Sequence, residues 1–109
     1  MNSRTRQMQE AHRRATRIAA GARCLLCESP KSIGRCVPAH FPRHRGMGAG
    51  HAGWGDDEWV PLCGGLNECH DLVDGRVGTS LERWKAHEQA RRDVMERAPA
   101  WWASVKGER

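Results

Sequence analysis

The chain has a single phenylalanine, Phe41, and no tyrosine among its 109 residues. It also has no apolar run as long as a membrane span or the core of a signal peptide, and residues 1–23 carry only scattered apolar side chains. These absences lead us to expect a soluble, cytoplasmic protein. The length corresponds to one small domain, and the shortage of large apolar side chains excludes a thick core. Small domains with so little to bury are usually stapled by a metal or by disulfides. Five cysteines are present, at 24, 27, 36, 63 and 69, together with 12 glycines. An odd count, a CxxC pair and no export signal favour a metal over disulfides.

Charge is distributed unevenly. Residues 1–23 hold six arginines (Arg4, Arg6, Arg13, Arg14, Arg17 and Arg23) against one acid, Glu10, which accounts for the whole net charge of +5. The rest of the chain carries 12 basic and 12 acidic residues and is neutral. A basic arm on a neutral body suits a polyanionic partner, most simply nucleic acid.

Met8, Ala11, Ala15, Ile18 and Ala22 recur at helical spacing, which predicts an amphipathic helix over 4–20 with Gly21 as its stop. Its stripe is mostly alanine, so weak packing and some mobility are expected. Cys24-Leu25-Leu26-Cys27 followed by Glu28-Ser29-Pro30 reads as a metal knuckle. Residues 37–55 contain seven glycines or prolines, which predicts a long loop. Glu58 to Cys63 is β-prone, with Pro61 suiting an edge position. A short helix is expected over 69–73, stopped by Gly75. A last helix begins at Thr79 or Ser80 as cap, has an apolar face interrupted near Glu88 and Arg91, and is limited by Pro99. That leaves Trp101 and Trp102 in a tail that either folds back on the core or meets a partner.

The cysteines carry the strongest chemical signal. Cys24-x2-Cys27 and Cys63-x5-Cys69 supply the four tetrahedral thiolates that structural zinc prefers, and Gly64-Gly65 allows the wider second turn. Cys36 is the spare, with replacement of Cys69 as a lesser possibility. His70 and Asp74 are four residues apart and would share one helix face, a pattern able to hold a divalent cation while leaving positions open. His40 precedes the glycine-rich stretch, and a neutral imidazole is the usual base near neutral pH. His12, His44 and His51 compete for that role by count alone.

Taken in order, these features are Cys24–Cys27, Ala39-His40, Arg45-Gly46-Met47-Gly48, Asp56-Asp57-Glu58, Val60-Pro61-Leu62-Cys63 and Cys69-His70-Asp71-Leu72-Val73-Asp74-Gly75-Arg76. This series resembles the HNH (ββα-metal) endonuclease family, above all its short phage-type members with cysteine-scaffolded fingers. The resemblance covers about residues 24–76. It implies an α+β fold in which a β-hairpin and a helix clamp a divalent metal, with a four-cysteine zinc scaffold and flanking helices. It places the general base on His40, with His44 as reserve, and the metal ligands on His70 and Asp74. Asp57 and Glu58 stand where the family commonly has Asn, Ala39 stands where many members have a ligand, and Asp74 stands where histidine is commoner.

The function implied is hydrolysis of DNA phosphodiesters with Mg²⁺ or Mn²⁺. Arg13, Arg14, Arg17, Arg43, Arg45 and Arg76 are candidate phosphate contacts. The chain then divides into a basic arm (1–22), a nuclease core (23–78) and a C-terminal helix with its tail (79–109). The alternative is a non-catalytic zinc module that binds nucleic acid. A third reading, an interaction part of a phage packaging or recombination assembly, rests on Trp101 and Trp102 as interface aromatics.

Overall fold

In the computed structural model the chain forms α1 (Ser3–Ala20), a 3-10 turn (Pro30–Ser32), β1 (Cys36–His40), β2 (Trp59–Cys63), α2 (Cys69–Asp74) and α3 (Leu81–Gly107). The structure describes residues 3–42, 53–65, 68–76 and 78–107, apart from the side chain of Arg4. The architecture is α+β: a short antiparallel hairpin flanked by helices, with α1 across both strands and α2 against α3.

Helix α1 fills the range its periodicity predicts. Its alanines pack better than expected, because Ala15 and Ala19 are fully buried. Small side chains let the helix approach the sheet closely. Arg14, immediately before Ala15, forms an ion pair with Asp56, a buried residue just before β2.

The hairpin register pairs Cys36 with Cys63, Pro38 with Pro61 and His40 with Trp59. Backbone bonds from Gly64 N–H to the Arg35 carbonyl (3.1 Å) and from Phe41 N–H to the Glu58 carbonyl (3.0 Å) close its two ends. Bonded and non-bonded rungs alternate in an antiparallel ladder, so the Pro38–Pro61 rung is a non-bonded one. Neither proline therefore removes a ladder bond. On non-bonded rungs the carbonyls point outward. The Pro61 carbonyl accepts from Leu25 N–H (2.9 Å), and the Trp59 carbonyl accepts from Trp102 Nε1 (2.9 Å). The edge of β2 is thus covered, and all five of its residues are buried. The predicted loop over 37–55 is corrected at its start, since residues 37–40 belong to β1. Residues 43–52, which include Arg43, His44, Arg45, the Gly-Met-Gly segment and His51, lie outside the described residues.

Helix α2 ends at Gly75, whose φ of 88° is left-handed and whose N–H caps Asp71 and Leu72 carbonyls. Ser80 is the cap of α3, its Oγ accepting from Arg83 N–H at 3.4 Å. The limit set at Pro99 is corrected. Helix α3 runs through it to Gly107, carrying Trp101 and Trp102 as helical residues packed on the core rather than as a tail. The polar interruption of its apolar face also has a cause. His87 Nδ1 donates to the Leu72 carbonyl (2.6 Å) and Arg91 Nη1 to the Val73 carbonyl (3.3 Å). These side chains satisfy the last carbonyls of α2, while Glu88 is exposed.

Candidate metal centre

Three segments deliver the four cysteines. Cys24 and Cys27 lie on the turn after α1, Cys63 ends β2, and Cys69 opens α2. Their Sγ atoms lie within 4.8 Å of one another, and those of Cys27 and Cys63 are 3.8 Å apart. A tetrahedron of thiolates at a Zn–S bond of about 2.3 Å has sulfur–sulfur edges of about 3.8 Å. The cluster is therefore able to chelate a metal of that class with little movement.

Polar contacts hold the first turn in place. Cys24 N–H donates to Ser32 Oγ (2.8 Å), and that hydroxyl donates to the Ser29 carbonyl (2.5 Å). Arg97 reaches across from α3. Its Nη1 donates to the carbonyls of Leu25 (3.0 Å) and Leu26 (2.8 Å), and its Nη2 is 3.2 Å from Glu28. The opposite turn depends on Gly64, where a Cβ would meet Val37 Cγ1 at 2.8 Å. A stiff β-branched neighbour cannot yield that space easily.

The thiols do not titrate alike. A hydrogen bond from the Cys69 thiol, helped by backbone N–H groups, pulls Cys24 down to about 4 against the opposing effect of burial. Burial, then the neighbouring Cys24 thiolate, pushes Cys63 up to about 12. Donation to Cys24 and burial push Cys69 up as well. One thiolate served by neighbouring donors is what a tetrathiolate site becomes when protons stand in for the cation.

The expected catalytic centre is not assembled. Among the described residues, the four cysteines are the only group of three or more His, Cys, Asp or Glu side chains able to converge on a metal. His70 and Asp74 do share α2, but Asp74 Oδ2 faces Arg76 Nε at 3.2 Å, and Asp71 lies 3.8 Å from the same guanidinium. His40 Nε2 donates to the Gly53 carbonyl (3.1 Å), and its ring lies 3.7 Å from that of Trp54. The ring of Trp54 is in turn 4.7 Å from that of His12. Asp57 faces Lys106 at 3.8 Å, and Glu58 accepts from Gly55 N–H at 3.1 Å. The reading of the chain as an HNH hydrolase, with His40 as base and Mg²⁺ or Mn²⁺ on His70 and Asp74, is therefore corrected. The metal-binding group here consists of cysteines, and the side chains of His40 and Asp74 are engaged in local contacts.

Among the arginines singled out, Arg13 and Arg17 are exposed, Arg14 is half-buried against Asp56, and Arg76 is exposed beside α2. Sequence reasoning missed Ser32, His87, Arg91 and Arg97. His87 and Arg91, four residues apart on α3, could have been found as polar residues on its buried face; no spacing singles out Arg97. Among the described residues no helix is long and apolar enough to cross a membrane. No family model, curated protein or solved structure matches the chain.

Proposed function

We propose that the chain is a non-catalytic, zinc-scaffolded module that binds nucleic acid through α1. The observation that carries this reading is the placement of the arginines. Arg6, Arg13 and Arg17 are exposed, and at 100° per residue they fall on one face of α1, opposite the buried Ala15 and Ala19. None of the three makes an ion pair among the described residues. Arg14 has a different task, anchoring α1 to the hairpin through Asp56. Zinc suits the site because four thiolates at these separations match its tetrahedral preference, and soft ligands disfavour Mg²⁺ and Ca²⁺.

Arginines facing phosphates give affinity and salt dependence without base readout. Binding of a fluorescent DNA or RNA duplex across a salt series tests the proposal. Replacing Arg6, Arg13 and Arg17 with alanine should flatten the slope of log K against log salt by about 2.7, at roughly 0.9 per neutralised phosphate. An unchanged slope would remove α1 as the contact surface. A second reading, a protein-docking module, draws on the exposed Leu81, Trp84 and Met95 of α3. Trp101 and Trp102 no longer support it, since both pack on the core.

A further inference from the structure

The fifth cysteine remains outside the metal centre, and its position is specific. Cys36 is the register partner of Cys63 in the hairpin. Bonded rungs at Arg35–Gly64 and Phe41–Glu58 make Cys36–Cys63 a non-bonded rung, like Pro38–Pro61. Side chains on such a rung lie on one face of the sheet, with Cα atoms about 4.5 Å apart. That spacing is at the short end of what a disulfide spans. Cys63 is a member of the metal cluster. Cys36 is close enough to the cluster for the Cys24 thiolate to act on it and for Cys63 to share a hydrogen bond with it.

Both residues are buried, but only Cys63 borders a cleft. A cleft of about 350 Å³ opens beside the cluster, and Cys27, Cys63 and Cys69 line it together with Lys31, Arg35 and Arg83. Cys36 is not among the lining residues. It is buried, its Sγ 3.5 Å from the Ser32 carbonyl. An oxidant entering the cleft meets Cys63, together with the more exposed Cys27 and Cys69, rather than Cys36.

We propose that Cys36 is the resolving thiol of a redox switch in which a Cys36–Cys63 disulfide forms across the hairpin and takes Cys63 away from the metal. The oxidant is a peroxide. The Cys63 thiolate attacks one peroxide oxygen, the O–O bond breaks, and hydroxide leaves Cys63 as a sulfenic acid. The Cys36 thiol then attacks the Cys63 sulfur. The S–S bond forms, the S–O bond breaks, and the departing hydroxide takes the Cys36 proton to leave as water. Overall, two sulfurs are each oxidised by one electron and the peroxide is reduced to water and hydroxide. The metal, left with three ligands, is released. Thiols reverse such a disulfide by exchange, as a switch requires.

The inference rests on the reading of the four cysteines as a metal site, and the test separates the two. The full chain, reduced and loaded with Zn²⁺, is treated with hydrogen peroxide. Released zinc is followed with a chromogenic chelator, and disulfides are mapped by mass spectrometry of a non-reducing digest. The expected result is zinc release in step with a Cys36–Cys63 link, both reversed by dithiothreitol. Cys36→Ser should still load zinc, give no such link and lose the reversible release. Links confined to Cys24, Cys27, Cys63 and Cys69, or reversible release undiminished in Cys36→Ser, would overturn the proposal. If Cys36→Ser does not fold, the wild-type map decides alone. A wild type that takes up no zinc would refute the metal site, while the disulfide map would still accept or reject the pair.

Discussion

Stripping the metal from the zinc-loaded chain should lower its melting temperature by about 10–20 °C. A ligand that binds only the folded state, present free at a hundred times its Kd, stabilises by about 2.7 kcal/mol. Each kcal/mol is worth roughly 4–8 °C in a domain near this size. The structure says where the loss should fall. Cys24 and Cys27 tether the end of α1, Cys63 the end of β2 and Cys69 the start of α2. Without the cation, three elements lose their common point. Helix α2, only six residues long, cannot persist by itself, because isolated helices that short are unstable in water. Its partners His87 and Arg91 would then lose the carbonyls they satisfy. The other end of the hairpin has separate support, since Trp59 is fully buried and bonded to Trp102. Thermal melts followed by circular dichroism, with zinc and with a chelator, give the shift. Hydrogen exchange should show the largest loss of protection in 69–75 and less in 59–62. Equal melting temperatures with and without metal would refute the scaffold argument, and uniform loss of protection would refute its localisation.

Zinc affinity should rise with pH. Near neutrality Cys24, held at about 4, is already a thiolate, whereas Cys63, pushed up to about 12, and Cys69 still hold protons. Expelling those two protons contributes about a hundredfold per pH unit to the affinity, which competition with a chelator between about pH 6 and 8 would detect; a flat profile would refute it. For the metal-free fold the signs are opposed. The depressed Cys24 contributes stability that is fully present above its ordinary value of 9.0 and lost as pH falls through about 4. The raised Cys63 contributes stability that is present below 9.0 and lost as pH rises through about 12. Arg97→Ala should cost about 1–3 kcal/mol in urea unfolding, because the Leu25 and Leu26 carbonyls lose their donor, and zinc should dissociate faster from the loosened turn. Arg14→Ala should cost about 3 kcal/mol, since it removes a cationic partner from the buried Asp56, while leaving zinc stoichiometry at one per chain. A change below about 0.5 kcal/mol in either variant, the range of ordinary surface substitutions, would show that the contact is not structural.

What the sequence disclosed depended on whether a signal was local. Cys24-x2-Cys27, the stops at Gly21 and Gly75 and the stripe of α1 are set within a few residues, and each was readable before the fold was known. The second half of the metal centre was readable because cysteine chemistry leaves few alternatives, even though Cys63 and Cys69 are distant in sequence from the first pair. Pro38 and Pro61 are harder. Taken singly, each argues against a ladder, and only the register that sets them opposite each other on a non-bonded rung makes both harmless. The same register sets Cys36 opposite Cys63, so a pairing that no spacing rule discloses determines what the fifth cysteine can do. His40, His70 and Asp74 show the converse. Their order in the chain matched a known motif, but order does not fix whether side chains converge. In the folded chain a backbone carbonyl and Trp54 engage His40, Arg76 engages Asp74, and the convergence belongs to the cysteines. Motif order constrains which segments can meet, and the competition among local partners decides which atoms do.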